Sequence, residues 1–336
     1  MSFCTRAKKS LLLDLGSDRL KILEIIEENK ILQVKDFLIK KLQQPLLKNG
    51  GLDFNKSLRL LKFLLDRKRF SVKNIDLIVS GSNVITKILT LPTVKTEELK
   101  ELIFWEIKCL DFSKVDWVID YEVLSVSEDQ TRVLVVLSHK KLLVEQINLL
   151  ERAGIKVNNV KVAPLIMNNL LSPELKRDNL AIIDIGAQEC ELSILNKGQF
   201  DFRRVFYVGG EDFTSEIKKR LELTTREAEK IKQSGDFDLA VIAKTLEKLI
   251  KKISFSIHYW EQRGESVDQI LLTGGTSKLK GLQQILAQRL GIKVDFLLGL
   301  SQVEFSSTDY SLHFLKTKLP YLSLLLAAAS QEYNLN

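Results

Sequence analysis

The chain carries one short pattern twice, and that repetition constrains its fold more than any other feature. Leu11-Leu12-Leu13-Asp14-Leu15-Gly16-Ser17 runs on into Leu20-Lys21-Ile22-Leu23-Glu24-Ile25. Ala181-Ile182-Ile183-Asp184-Ile185-Gly186-Ala187 runs on into Glu191-Leu192-Ser193-Ile194-Leu195. Each copy reads as a buried strand, an Asp-x-Gly turn and a returning strand. Asp14 and Asp184 lie about half a chain apart, which implies two similar α/β halves, each opened by a hairpin, with a cleft between them. A length of 336 residues exceeds what one small core serves and agrees with two domains.

The segments around each hairpin extend the comparison. In the first half, 31–37 reads as a third strand, 58–65 as a helix and 75–79 as a buried strand. An inserted small α/β subdomain is expected over about 83–162. It holds a strand over 84–89, a helix capped by Thr96 with Glu97 and Glu98 at its positive end, strands over 117–124 and 133–137, and a helix over 140–153 stopped by Gly154. In the second half, 200–208 reads as a third strand ending at Gly209-Gly210, and Thr224 with Glu227 forms a capping box. A long helix from 239 to about 263 has an apolar stripe and a solvated lysine face. A strand over 270–273 then meets Gly274-Gly275, and a helix follows from about 277 to 290. The expected domain limits are 1–163 and 164–319, with a hinge near 164–179 and a C-terminal helix over 320–336 packing back on the first domain.

Charge and cysteine usage narrow the function classes. The net charge of +7 is spread over basic clusters such as Lys40-Lys41 and Arg67-Lys68-Arg69 that are interleaved with acids. That suits a solvated surface, or one facing an acidic membrane, better than a nucleic-acid groove. Cys4, Cys109 and Cys190 form no CxxC pair, and His139, His258 and His313 lack metal-ligand spacing. A disulfide framework and a zinc site are therefore not expected, and the cytoplasm is the simplest compartment. No uncharged stretch reaches the ~20 residues of a membrane span, so membrane association is expected only through a partner.

A strand followed by Asp-x-Gly sets a carboxylate at the strand end and exposes backbone amides in the turn. Glycine lets the chain approach a phosphate that a Cβ would hold away. The carboxylate can hold Mg²⁺ through water. One such turn alone reads as structural, since Asp and Gly are common turn formers; two at matching strand ends point to a site. Gly209-Gly210 and Gly274-Gly275-Thr276 each join an apolar strand to a helix, where amides and helix dipole can face an anion or nucleoside; taken singly, each reads as a tight connection. Glu229 and Lys232 share a helix face and either grip ribose hydroxyls or form an i,i+3 ion pair. Trp105, Trp117 and Trp260 read as core or interface packing. No nucleophile elbow and no GxxxxGK[ST] loop occurs, so no catalytic residue is assigned.

In this order the motifs resemble the actin-like ATPase superfamily. Asp14-Leu15-Gly16-Ser17 and Asp184-Ile185-Gly186-Ala187 look like its two phosphate motifs, and Leu272-Thr273-Gly274-Gly275-Thr276 like its adenosine motif. Within the superfamily the chain is most similar to the PilM family of cytoplasmic proteins in type IV pilus assembly. The likeness runs through Leu89-Thr90-Leu91-Pro92, Trp105-Glu106-Ile107, Leu149 to Ile155, and Arg204 to Gly210 with Ala228 to Lys232. The resemblance implies duplicated ribonuclease-H-like domains with ATP and Mg²⁺ in the cleft. Asp14 and Asp184 would hold the metal through water, Gly16, Ser17, Gly186 and Ala187 would line the phosphates, and Lys21 would reach phosphate. The Gly209-Gly210 turn would face the ligand, Glu229 and Lys232 would hold ribose, and Gly274, Gly275 and Thr276 would lie against the adenosine.

The resemblance further implies a scaffold peripheral to the inner membrane. It would bind the cytoplasmic tail of a PilN-like membrane protein and other platform or motor proteins, with self-association left open. Lys161 and Ala163 stand where the family usually has acids, and Cys190 where it has Thr, which bears on hydrolysis more than on binding. Two other readings of the fold stay open: a small-molecule kinase of the sugar or acetate type, and a cytoskeletal protein resembling FtsA or MreB.

Overall fold

The computed structural model describes residues 8–28, 31–42, 47–48, 51–68, 70, 74–109, 116–297, 303–305 and 312–330. Two compact units are present, one of residues 1–46, 68–81 and 155–336, the other of residues 47–67 and 82–154.

The first unit holds two sheets that repeat one plan. One runs in the order Lys156–Val162, Asn74–Val79, Lys8–Leu15, Arg19–Glu28, Ile31–Lys41, Val303–Phe305. The other runs Lys293–Phe296, Gln269–Thr273, Leu180–Ile185, Cys190–Asn196, Gln199–Phe206. In both, the strand ending in aspartate lies parallel to its inner neighbour and antiparallel to its hairpin partner. Both carry a bulge at the matching place, after Glu24 in one and after Ile194 in the other. Bulges raise local twist, so a shared bulge means two sheets with the same curl. The expected duplication is therefore present down to an irregularity that periodicity does not reveal.

The apolar runs explain why these strands are central. Leu11, Leu12 and Leu13 are each 1% exposed, and Ile182 and Ile183 are buried too, as strands covered on both faces require. One core joins both sheets, taking in Leu12, Leu23 and Ile25 together with Leu180, Ile182 and Leu271. The C-terminal helix Leu312–Ser330 lies in that core through Leu319, Leu322 and Leu324 to Ala329. A second core packs Ala243–Glu261 on the second sheet through Leu246, Leu249, Ile253, Ile257 and the fully buried Trp260. Lys244, Lys248, Lys251 and Lys252 are exposed, as the stripe implied. Ala163–Ile166 and Met167–Leu170 form short helical turns with Ala163, Ile166, Met167 and Leu170 buried.

Several local expectations shift. The helix after Gly274-Gly275 begins only at Leu282, because Gly281 (φ 80°) interrupts the chain after a 3₁₀ turn over Gly275–Lys278. The Leu99 amide donates to the Lys95 carbonyl, so Thr96 is the first residue of its helix rather than the cap. Lys156–Val162 pairs with Asn74–Val79 in the six-stranded sheet, whereas the expected insert ran to 162. The tail beyond Ser330 lies outside the described residues.

The second unit is a three-stranded antiparallel sheet, Val84–Pro92, Gln130–His139 and Trp117–Val126, with Thr96–Cys109 packed on it. Its core is Leu91, Leu99, Ile103, Ile107, Val133, Val135 and Leu137. Phe54–Lys68, which reads as part of the first half, falls mostly in this unit, where Arg152 lies over the Phe54 ring. Trp105 is 67% exposed, not core, with Lys108 above its ring.

Candidate functional site

The two Asp-x-Gly turns converge in the first unit, and the hairpins place one partner opposite each aspartate. Antiparallel register sets Lys21 across from Asp14 and Glu191 across from Asp184. Lys21 Nζ lies 2.7 Å from Asp14 Oδ2, with both side chains largely buried. Burial works to strip Lys21 of its proton, but Asp14 and Asp184 together outweigh it and hold its pKa above the ordinary value. Lys21 thus lies between the two hairpins and feels both aspartates. Among the described residues the Asp184 side chain takes no hydrogen bond or ion pair. Burial pushes its carboxyl up to about 6, Lys21 opposing and Glu191 and Asp14 adding to the rise.

Glu191 itself is engaged. Arg203 lies 2.6 Å from its Oε2, and the Gly81 amide donates to the same oxygen at 3.2 Å. A small cavity bounded by Ser80, Ala163, Ser193 and Leu324 opens beside Asp184 and Glu191. Cys190 is fully buried, and burial with the two neighbouring acids raises its thiol pKa well above the ordinary value.

A second cluster surrounds Glu229. Its Oε2 is 2.8 Å from Lys232 Nζ and accepts from the Thr214 hydroxyl at 2.8 Å, while Oε1 accepts from Gln233 at 2.7 Å. Burial alone would raise this carboxyl, yet Lys232, Thr214 and Gln233 override it and hold it at about 2. Lys232 also donates to the Gly210 carbonyl at 2.8 Å, so the expected i,i+3 pair exists and is built into the Gly209-Gly210 turn. From the other sheet Lys41 reaches the same Oε1 at 3.3 Å.

The glycine pairs owe their missing side chains to internal packing. A Cβ on Gly209 would strike the Ala187 carbonyl, one on Gly210 the Thr276 hydroxyl, and one on Gly274 the Asp184 carboxylate and the Ile185 carbonyl. Gly274 also has φ 85°, which an L side chain rarely adopts. Their amides are partly committed: Gly210 donates to Gly186 and Gly274 to Pro320. Thr276 points at the second turn, its hydroxyl donating to the Gly186 carbonyl at 2.8 Å. A Cβ on Gly275 would run into the Tyr321 ring. That ring holds Arg19 at 4.7 Å and Lys278 at 4.1 Å from its centre, and Arg19 is paired with Asp18. Burial, with Lys318 and Arg19 nearby, lowers Lys278 to about 8.

Sequence reasoning thus named Asp14, Gly16, Ser17, Lys21, Asp184, Gly186 and Ala187 on the two turns, and Glu229 with Lys232 on the flank. It missed Arg19, Lys41, Glu191, Thr214, Lys278 and Tyr321. Superimposing the two repeats points to Glu191 as the counterpart of Lys21. Nothing local in the sequence marks Lys41 or Tyr321.

Residues 13–325 match the family described as type IV pilus assembly protein PilM. The chain belongs to the PilM family. Its fold superposes with a TM-score of 0.87 on a solved PilM-PilN type IV pilus biogenesis complex, at 23% identity over 96% of this chain and 98% of that one. It superposes with a TM-score of 0.52 on MreB 5 of Spiroplasma citri bound to AMPPNP, at 12% identity over 97% and 98% of the two chains. A curated relative, cell division protein FtsA of Bacillus subtilis (strain 168), is 25% identical over 169 residues, 50% of this chain and 34% of that protein. The matches to the first curated relatives span between 34% and 49% of those proteins. This PilM family member therefore has the actin-like α/β fold. None of its described helices is long and apolar enough to cross a membrane.

Proposed function

We propose that this chain is a nucleotide-binding scaffold of type IV pilus assembly. It would take ATP with Mg²⁺ where the two hairpin turns meet. The observation that carries the reading is the Lys21–Asp14 ion pair, with Asp184 close enough for its charge to act on Lys21, near the ends of two strands that repeat one plan. The donor set fits a hydrated Mg²⁺. Among the described residues the Asp184 side chain has no hydrogen-bonding partner, and burial raises its pKa, so a cation bound there would favour its charged form. When bound, the ion supplies that charge and polarises phosphate oxygens. Lys21 neutralises part of the phosphate charge, the turns over Gly16-Ser17 and Gly186-Ala187 bring backbone amides close, and Glu229 and Lys232 receive the ribose.

Hydrolysis is expected to be weak or absent. Lys161 occupies the connecting strand and is bound to Asp76 at 3.1 Å and to the Ala328 carbonyl at 2.7 Å, so it serves the fold rather than orienting water. We assign the partner as a PilN-like inner-membrane protein bound through its short cytoplasmic tail, which would hold the scaffold at the membrane. Membership of the PilM family along most of the chain supports that assignment.

Calorimetric titration of ATP with and without Mg²⁺ tests the nucleotide reading. Wild type is expected to bind, Asp184→Ala and Asp14→Asn to bind at least tenfold more weakly, and the Mg²⁺ dependence to disappear in the variants. Equal affinity in all three proteins would overturn it. For the partner, fluorescence anisotropy with a labelled peptide from the tail of a neighbouring single-span protein should saturate; an unchanged signal up to millimolar chain refutes the assignment.

A further inference from the structure

We infer that Lys41 is a latch on this site, competing with the ribose for Glu229 and tying the two sheets together while no nucleotide is bound. The inference rests on the nucleotide reading for its ligand and on geometry for the latch. Lys41 ends the strand Ile31–Lys41, directly across from Arg19 in the register. The next amide, Leu42, donates to the Asp18 carbonyl at 2.8 Å, which seats Lys41 beside the first Asp-x-Gly turn. Its side chain spans from this sheet to Glu229 on the helix Thr225–Ser234 of the other half.

The oxygens of Glu229 are unequal. Oε2 is filled from within its own half by Lys232 and Thr214, both at 2.8 Å. Oε1 takes Gln233 at 2.7 Å and Lys41 at 3.3 Å. Oε1 thus carries one hydrogen bond, from Gln233, with the Lys41 ammonium paired beside it. A ribose hydroxyl that donates to the remaining lone pair of Oε1 competes with the Lys41 ammonium for that place. Gln233 sits one turn along the same helix and moves with Glu229. Lys41 makes the longest of the four contacts, has a side chain 49% exposed, and belongs to the opposite sheet, so it is the group that yields. Lys41 also stands close enough to disfavour the charge on Lys232, so its departure relieves that crowding.

An exposed ion pair shifts an equilibrium by about one and a half- to fivefold. Lys41→Met, which keeps the stem and removes the charge, should raise affinity by that factor for the triphosphate of 2-aminopurine riboside, whose ribose is free. For the 2′,3′-dideoxy form, which has no hydroxyl to offer Glu229, the gain should vanish. Unchanged or weaker binding of the ribose form by Lys41→Met, or an equal gain with the dideoxy form, overturns the inference. Urea unfolding of Lys41→Met, Glu229→Gln and the double variant reads the latch without ligand. Non-additive stabilities support it, and strict additivity overturns it. Failure of wild type to bind either triphosphate overturns the nucleotide reading, and the unfolding cycle then decides the latch alone.

Discussion

Replacing Asp184 with asparagine is expected to stabilise the protein at neutral pH and to leave it unchanged well below pH 3.8. The carboxyl is raised from 3.8 to about 6, by burial first, with Glu191 and Asp14 adding and Lys21 opposing. The folded state therefore holds this proton more tightly than the unfolded chain, and ionised Asp184 works against folding. Each tenfold difference in proton affinity is ~1.36 kcal/mol, so the full penalty is about 3 kcal/mol. Solvent reaching the partly exposed carboxylate reduces it to roughly 1–3 kcal/mol. The sign follows from the two values. Well below 3.8 both states are protonated and there is no penalty; it sets in near that value, grows as pH rises toward about 6 and is constant above. Urea unfolding followed by tryptophan fluorescence at several pH values between 4 and 7.5 measures it. A stability difference that does not change with pH, or an asparagine variant less stable than wild type at pH 7, would refute the reasoning. If Mg²⁺ and ATP bind at Asp184, they should raise the melting temperature of wild type more than that of the variant.

Three further outcomes follow from the packing. Lys161→Met leaves the buried Asp76 with Asn159 at 2.9 Å as its side-chain partner among the described residues and frees the Ala328 carbonyl, so it should destabilise by ~3 kcal/mol in chemical unfolding; adding Asp76→Asn should recover part of the loss. Gly275→Ala drives a methyl group into the Tyr321 ring and should lower stability by ~1–3 kcal/mol, with Tyr321→Leu in the same chain relieving it; a neutral single substitution refutes the close packing. Glu229 is held at about 2, so its contribution is complete above its ordinary 4.5 and is lost as pH falls between those values. Glu229→Gln should therefore flatten that part of the wild-type acid-unfolding curve.

What could be read from the chain follows distance along it. The hairpins were legible because alternation, apolar runs and an Asp-x-Gly turn all act within about a dozen residues. The Thr224–Glu227 capping box formed as read, with Thr224 accepting from the Glu227 amide. The Lys21–Asp14 contact follows from the hairpin once its turn is placed, and the Glu229–Lys232 contact from helical spacing. The glycine pairs show where motif reading stops short. Their pattern was recognisable, but what occupies the space beside them is Ala187, Thr276, Asp184 and Tyr321, drawn from distant parts of the chain. Lys41 was invisible for the same reason, since its partner lies on a helix of the other half and a lone lysine at a strand end has no local signature.

The amino-acid sequence by itself determined that two strand-turn-strand units recur and that each places an aspartate at a strand end, because backbone sterics and side-chain alternation act locally. Only the tertiary structure decided that Lys21, bonded to Asp14, also comes under the charge of Asp184, and that the C-terminal helix is held by both halves, with Pro320 accepting from Gly274 and Ala328 from Lys161. A run of leucines and alanines states that a helix must be buried. Because hydrophobic attraction has no direction, where it is buried depends on the shape of the surfaces the rest of the chain leaves open.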